Sequence, residues 1–453
     1  MTECIPQLPL GFHSDLPVEV TFDAPETSSD GGALLLRGID DRLGLSAWFA
    51  SCLPDDREAG KVAHPRREQV RQRLYQIALA YEDCNDADHL RHDPLLKTAC
   101  DRLPDDGAGL SSQPTLSRYE NDVDWPAVRA LLRRFEKEYV DSFAADPETI
   151  ILDIDSTDDP THGAQQLTFF HGYYRTHMYH PLLVFDGQSG QLVTALLRPG
   201  NVGAARGALG PLRRIILALK RRFPNVRVVV RGDSAFSAPQ IPEMIEALDR
   251  EVGGVDYLFG LAQNAVLLRE GAPATAAANE KYHAGQKHVR HFASFPYAAK
   301  TWTHRRTVVM KAERTEKGEN PRFVVTSLDG FPPEMIYDAY CGRGQCENYI
   351  KDFKNALAAD RLSCSTFVAN FFRLLEHAAA YRLMHGLRTY VAKESPSLAR
   401  AQFDTIRLRL LKVAAVVSRS VRRILVRLPM AFPLTKIFRA IAAALDPPQL
   451  VAT

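Results

Sequence analysis

Three observations predict an α/β protein with a mixed sheet, a helical N-terminal part and a basic, helical C-terminal part. From Gly31 to about Phe143, apolar residues recur at three- and four-residue spacing, the period of a helix with one buried face. At Pro147 the period changes, and short runs rich in Val and Ile alternate with helical ones. From Met335 onward helical periodicity returns, with cations accumulating towards the end.

Taken in order, ALLLRGIDDRLGLSAWFASCL, REQVRQRLYQIALAYEDC and WPAVRALLRRFEKEYVDSF read as helices, separated by linkers whose Pro, Gly, Asp and Ser break and cap them. They define a helical region over 1–146. In ETIILDID, Asp153 and Asp155 are two apart, so both lie on the same side of a strand. HMYHPLLVFD and QLVTALLRPG are two further strands, joined by the hairpin-length GQSG. The helix GALGPLRRIILALKRRF, the inner-type strand VRVVVRGD, the helix PQIPEMIEALDREVG and the strand VDYLFGLA follow. This is an antiparallel meander leading into parallel crossovers over 147–263. Over 264–334 the rhythm stops, and HVRHFASFPY, RRTVVMKAERT and PRFVVTSL predict an inserted β region. Helix resumes over 335–390, and a basic helical region is expected over 391–453.

With 45% hydrophobic and 24% charged residues, the chain is neither collagenous, disordered nor membrane-embedded. Its net charge of only +2 excludes a uniformly basic binder but conceals a segregation. Residues 1–60 hold three Lys/Arg against eleven Asp/Glu, and residues 366–453 hold fourteen against four. Seven cysteines without a C-x-x-C pair read as reduced thiols. The opening residues show no basic segment followed by an apolar run, and cations interrupt the apolar stretch 406–432. The expectation is a cytoplasmic protein with no membrane partner.

Three acids stand where chemistry is expected. Asp155 ends the first strand, Asp233 follows the central strand, and Glu347 lies on a helix beyond the β insertion. Strand ends in a partly parallel sheet form the usual ligand crevice, and converging carboxylates suit hard divalent ions. Two such ions activate a nucleophile and stabilise the leaving oxygen in phosphodiester chemistry. An isolated Asp at a strand end is more often a turn or cap residue. Helical spacing puts Arg343, Glu347, Lys351 and Lys354 on one face, open either to ordinary i,i+4 pairing or to phosphate contact.

The pattern Tyr340-x2-Arg343-x3-Glu347-x6-Lys354 resembles the Y-R-E-K signature of bacterial insertion-sequence DDE transposases. SSDGGALLLRGIDDRLGL, ALAYEDCNDADHLRHDPLLK, LDIDSTDDPTHG, RGDSAF and YCGRGQCENYIKDFKNAL resemble segments of the insertion-sequence 1380 family, a coverage from about Phe22 to Val391. The resemblance implies an RNase H-like catalytic core formed by 147–263 and 335–390. It implies a DDE triad of Asp155, Asp233 and Glu347, with Asp153 as the alternative first acid, and two Mg²⁺ or Mn²⁺ ions. Asp155 is preferred because the small Ser156 and then Thr157 follow it. The substrates implied are double-stranded transposon inverted repeats and target DNA, bound by a homodimer on synapsed ends in a bacterial, nucleoid-associated setting. Tyr340, Arg343 and Lys354, with Lys351 beside them, would touch DNA near the cut.

Further DNA contacts are expected from Arg66, Arg67 and Arg71, with Arg73, in the N-terminal region. These arginines read equally as a solvated helix face. Trp302, with Arg305 and Arg306, reads either as a stacking residue for a displaced base or as a packed edge-strand Trp. His171, His177 and His180, with Tyr173, Tyr174 and Tyr179, either line the sheet or contact DNA. His177 and His180, three apart, are not expected to share a metal. A metal-dependent nuclease on the same fold and a catalytically inactive, transposase-derived DNA-binding protein are the alternatives.

Overall fold

The computed structural model describes residues 8–10, 14–16 and 18–445. The chain divides into two compact units, one drawn from 1–51, 55–119 and 386–453, the other from 52–54 and 120–385.

The second unit is built on a nine-stranded mixed sheet. Helix α1 (Trp125–Asp141) leads in, capped by Asp124, whose carboxylate accepts from the Ala127 amide at 2.9 Å. The sequence assigns α1 to the helical N-terminal region, but it packs here because Tyr139 and Val140 enter the sheet's core. Strands β1 (Thr149–Ser156), β2 (Leu182–Asp186) and β3 (Leu192–Leu196) form the expected meander. Helix α2 (Leu209–Arg222), β4 (Arg227–Gly232), α3 (Gln240–Val252) and β5 (Val255–Leu261) then make the crossovers, with β4 parallel to both β1 and β5.

Strands β6 (Val289–Tyr297), β7 (Arg306–Thr315) and β8 (Arg322–Thr326) give the order β6-β7-β8-β5-β4-β1-β2-β3, and the ninth strand, the short Gly318–Glu319, pairs with β7 off this path. The β insertion is therefore not a free-standing subdomain. Its strand β8 pairs antiparallel with β5, covering an edge that would otherwise be open. It also opens with two helices, Ala265–Glu270 and Ala272–His283, which the strand-based reading missed although APATAAANEKYH is rich in the best helix former.

Alternation along the central strands separates two faces. Ile150, Leu152, Ile154, Val228 and Val230 bury one face against Leu212, Ile215 and Ile216 of α2 and Ile241 and Ile245 of α3. Asp153, Asp155, Val229 and Arg231 therefore belong to the other face. There Val229, Leu258 and Val324 pack on Ile336 and Tyr337 of helix α4 (Pro333–Cys341). Helix α5 (Gly344–Lys351) follows and passes into a π-helical turn, Asp352–Ala356. The long helix Phe367–Glu394 anchors the β2–β3 turn through Tyr381, whose hydroxyl donates to the Gly190 carbonyl at 2.9 Å.

The first unit contains helices Ala33–Leu43, Leu45–Ser51 and Arg66–Ala78, as the periodicity predicts. Its C-terminal part corrects the expectation of an all-helical region. Ala415–Ser420 and Arg423–Arg427 form a hairpin that pairs with Thr27–Ser28 before the helix Thr435–Leu445. β-branched residues in AVVSRS and RILVR favour the pleated form over the helix. No helix among the described residues is long and apolar enough to cross a membrane.

Candidate active site

Parallel register brings the two aspartates together. Gly232 of β4 lies opposite Ile154 of β1, so Asp233 and Asp155 leave neighbouring strands side by side. Asp233 Oδ1 accepts from the Ala235 amide at 2.9 Å, fixing the turn that follows β4. Asp155 Oδ1 accepts from its neighbour's amide, Ser156, at 2.8 Å. In each case the second oxygen is left for other partners.

Arg343 begins α5 and supplies one of these partners. Its Nη1 donates to Asp155 Oδ2 at 2.9 Å and its Nη2 lies 3.6 Å from Glu347 Oε1, so one guanidinium spans two of the three acids. Tyr340 arrives from α4, its hydroxyl against Gly260, where a Cβ would sit 2.5 Å from that oxygen. A cleft of about 360 Å³ opens between Asp233, Gly260, Arg322 and Tyr340.

Asp153 has a different environment. It is fully buried, and both its oxygens accept from Arg231, at 2.7 and 2.8 Å. Arg231 also donates Nη1 to the Ala339 carbonyl at 2.6 Å, tying the sheet to the end of α4 just before Tyr340. Gly187 makes room for the pair, since a Cβ there would meet both partners within 2.7 Å.

Lys354 does not share a face with Glu347. The π turn adds a residue to the helical count, and Lys354 Nζ lies 2.8 Å from Asp158 and 3.7 Å from Asp360. Beside them Asp159 is fully buried with both oxygens unpartnered, and burial, then Asp360, pushes its pKa well up. Asp158, Asp360 and Arg231 are the residues that sequence reasoning missed. The available signals were the second acidic pair in DSTDD and an arginine inside a valine strand.

Burial raises the Asp155 carboxyl to about 6. Arg343 draws it down, while Asp233 and Glu347 push it further up, so the three acids sense one another. In the metal-free protein the folded state therefore binds the Asp155 proton more tightly than the unfolded chain, whose carboxyl titrates near 3.8. Stability should fall as pH rises through that interval and level off above about 6. Thermal melts in EDTA at pH 4 to 7 should show a decline that Asp155→Asn reduces; an identical decline in the variant would contradict the assignment.

Among the described residues no three His, Cys, Asp or Glu side chains converge closely enough to hold a metal ion. Arg343 intervenes, and the Glu347 side chain is 60% exposed. The donor chemistry nevertheless suits a hard divalent cation: Asp155 and Asp233 each retain a carboxylate oxygen not committed to the backbone, and Asp155 carries an undercompensated buried charge.

The other expected DNA contacts divide by burial. Arg71 is corrected, because its side chain is 3% exposed and is consumed by Asp40, Asp41, Asp101 and Ser46. Arg73 is fully buried as well, so from Gln69 to Ala78 this helix belongs to the core rather than to a solvated or phosphate-binding face. Arg66 is largely covered and lies over the Tyr119 ring, while Arg67 is half exposed. Arg306 is also corrected, since its 1% exposed side chain makes a two-pronged bond to Glu246 at 2.6 and 2.9 Å. Its guanidinium lies over the Trp302 ring at 5.0 Å, and Tyr297 meets Trp302 edge-on, so the partly buried indole packs against the core of the sheet. Arg305 and Lys351 are exposed.

The family model described as transposase DDE domain group 1 matches residues 11–449. The chain belongs to this family. The DDE transposase chain is also similar to a piggyBac transposase seen by cryo-EM in a synaptic complex with hairpin DNA, at 10% identity and a TM-score of 0.41 over 99% of this chain and 89% of that one. No curated protein matches this transposase chain.

Proposed function

We propose that this transposase binds the inverted repeats of an insertion sequence, cleaves at their ends and joins the freed 3′-hydroxyls to target DNA. The observation that carries the reading is Arg343, which pairs with Asp155 and lies beside Glu347 while Asp233 leaves the neighbouring strand, in a chain of the DDE family. The meander feeding parallel crossovers supports an RNase H-like core, and the commitment of both Asp153 oxygens to Arg231 supports Asp155 as the first acid. The Tyr340, Arg343, Glu347 and Lys354 spacing supports membership of the Y-R-E-K group of insertion-sequence transposases, and segments such as LDIDSTDDPTHG and RGDSAF support the insertion-sequence 1380 family within it.

Asp155, Asp233 and Glu347 would hold Mg²⁺ or Mn²⁺, two ions in all, which when bound supply Lewis acidity at the attacking and leaving oxygens. Arg343 leaves Asp155 for a phosphate oxygen, a charge-assisted exchange of one anion for another. Lys354, released by Asp158 and Asp360, takes a flanking phosphate. Tyr340 borders the cleft beside Asp233 and orients the strand there. The remaining cations, including Lys351, Arg305 and Arg67, serve as longer-range phosphate contacts, with the helical N-terminal region recognising the ends. Two chains acting on paired ends, in the bacterial cytoplasm, complete the reading.

The deciding assay offers the protein duplex ends with Mg²⁺, then pre-cut 3′ ends with a plasmid. Cleavage and joining are expected together. Cleavage without joining would make it a nuclease, and specific end binding with neither would make it an inactive DNA-binding relative.

A further inference from the structure

The C-terminal hairpin of the first unit takes no part in the chemistry proposed above. Its strands, Ala415–Ser420 and Arg423–Arg427, are joined by the two residues Val421 and Arg422, with Ser420 opposite Arg423 and Val416 opposite Arg427. The first strand pairs on its other side with Thr27–Ser28, which leaves Arg423–Arg427 at the edge of a three-stranded sheet.

Residues directly opposite one another share a side, so this register sorts the side chains into two faces. Ala415 and Val417 are buried and Ile424 and Val426 partly so, which makes theirs the inner face. Arg419 shares that face and is held by Asp105 at 2.7 Å. The outer face carries Ser418, Ser420, Arg423 and Arg427, all exposed. Arg427 Nη1 donates to Ser418 Oγ at 3.2 Å, which lays that guanidinium along the outer face. Arg422 is exposed in the turn beside Val421, which is fully exposed. Among the described residues Arg422, Arg423 and Arg427 make no ion pair, in contrast to Arg419.

We propose that this hairpin is a docking ribbon for duplex DNA, with Arg422, Arg423 and Arg427 on the phosphates. Charge selects a polyanion: three unpaired guanidiniums share the turn and one exposed face, and the chain from Thr405 to Leu445 contains no Asp or Glu to repel it. Shape selects the duplex, because the major groove admits a two-stranded β-ribbon. The planar fork of each arginine suits a phosphate's oxygens. Cations on an edge strand also deter pairing with another chain. That role does not call for an aliphatic side chain held out at the turn, whereas a groove-bound ribbon can set Val421 against thymine methyls.

The proposal rests on the transposase reading for its DNA but is tested apart from it, in EDTA, where no metal-dependent cleavage occurs. The probe is a fluorescein-labelled duplex of about 20 base pairs, followed by anisotropy with the full-length protein over a series of KCl concentrations. Arg422→Gln, Arg423→Gln and Arg427→Gln combined should weaken binding by about tenfold or more and flatten the dependence of log K on log salt by about 2–3. Circular dichroism should show this variant folded, and lysines at the same three positions should restore most of the affinity. Arg409→Gln, Lys436→Gln and Arg439→Gln combined remove the same charge from exposed positions outside the hairpin and should leave binding nearly unchanged. Undiminished duplex binding in the hairpin variant, or an equal loss in the second variant, overturns the ribbon and leaves end cleavage as a separate question. Hairpin-dependent binding that favours a single strand of the same length, or phosphatidylglycerol vesicles, over the duplex overturns it as well. Loss of duplex binding in the hairpin variant of a protein that neither cuts nor joins ends would remove the transposase reading and keep the ribbon.

Discussion

Asp155→Asn, Asp233→Asn and Glu347→Gln are each expected to lower cleavage of a transposon-end duplex by about a thousandfold or more. That is the several kcal/mol a bound metal supplies, at 1.36 kcal/mol per factor of ten. Each substitution is nearly isosteric and removes charge without emptying space, so gel-shift binding of the same duplex should persist. Asp155→Asn removes an anion that competes for Arg343, so it should bind DNA at least as tightly as the unaltered protein. Near-normal cleavage by Asp155→Asn would remove it from the mechanism.

Asp153→Asn should behave in the opposite way, with its damage in stability. The carboxylate and Arg231 are both deeply buried and satisfy one another through two hydrogen bonds. Removing one partner strands a buried cation, at a cost of about 3–5 kcal/mol. Urea unfolding should show the midpoint fall with little change in slope. Replacing the pair together, Asp153→Leu with Arg231→Met, should recover much of the loss, because two apolar side chains leave no charge to desolvate. A shift below about 1 kcal/mol for the single change, the range of exposed ion pairs, would refute a structural role for Asp153. The two aspartates, two residues apart on one strand face, are thus distinguished by opposite readouts.

Much of the sheet was legible because its information is local. Valine and isoleucine runs, Gly-bearing turns and intervening amphipathic helices place β1 to β5 without any knowledge of their neighbours. The Ala-rich helix 272–283 was overlooked because a strand-rich neighbourhood outweighed its propensity, and the C-terminal hairpin because Arg-rich text resembles a basic helix. For the site, residue types and spacing carried the acids, but their partners lie far away in the chain. Arg231 and Asp153 are 78 positions apart, Arg343 and Asp155 188, and Lys354 and Asp158 196. Arg71 shows the same limit: a cation-rich helix reads as surface until three aspartates from other segments surround it.

The π turn at Asp352–Ala356 changes what the motif's arithmetic measures. A gap of six residues between Glu347 and Lys354 describes a nearly closed pair of turns in a regular helix, but here it describes a swivel. Sequence spacing at this point counts residues, not angles. A homologous chain with one residue fewer in the turn would keep its lysine pointing the same way on a straight helix, and a chain that kept the spacing but lost the bulge would aim it elsewhere. Motif matching by fixed intervals would rank the second above the first, the reverse of their geometric likeness.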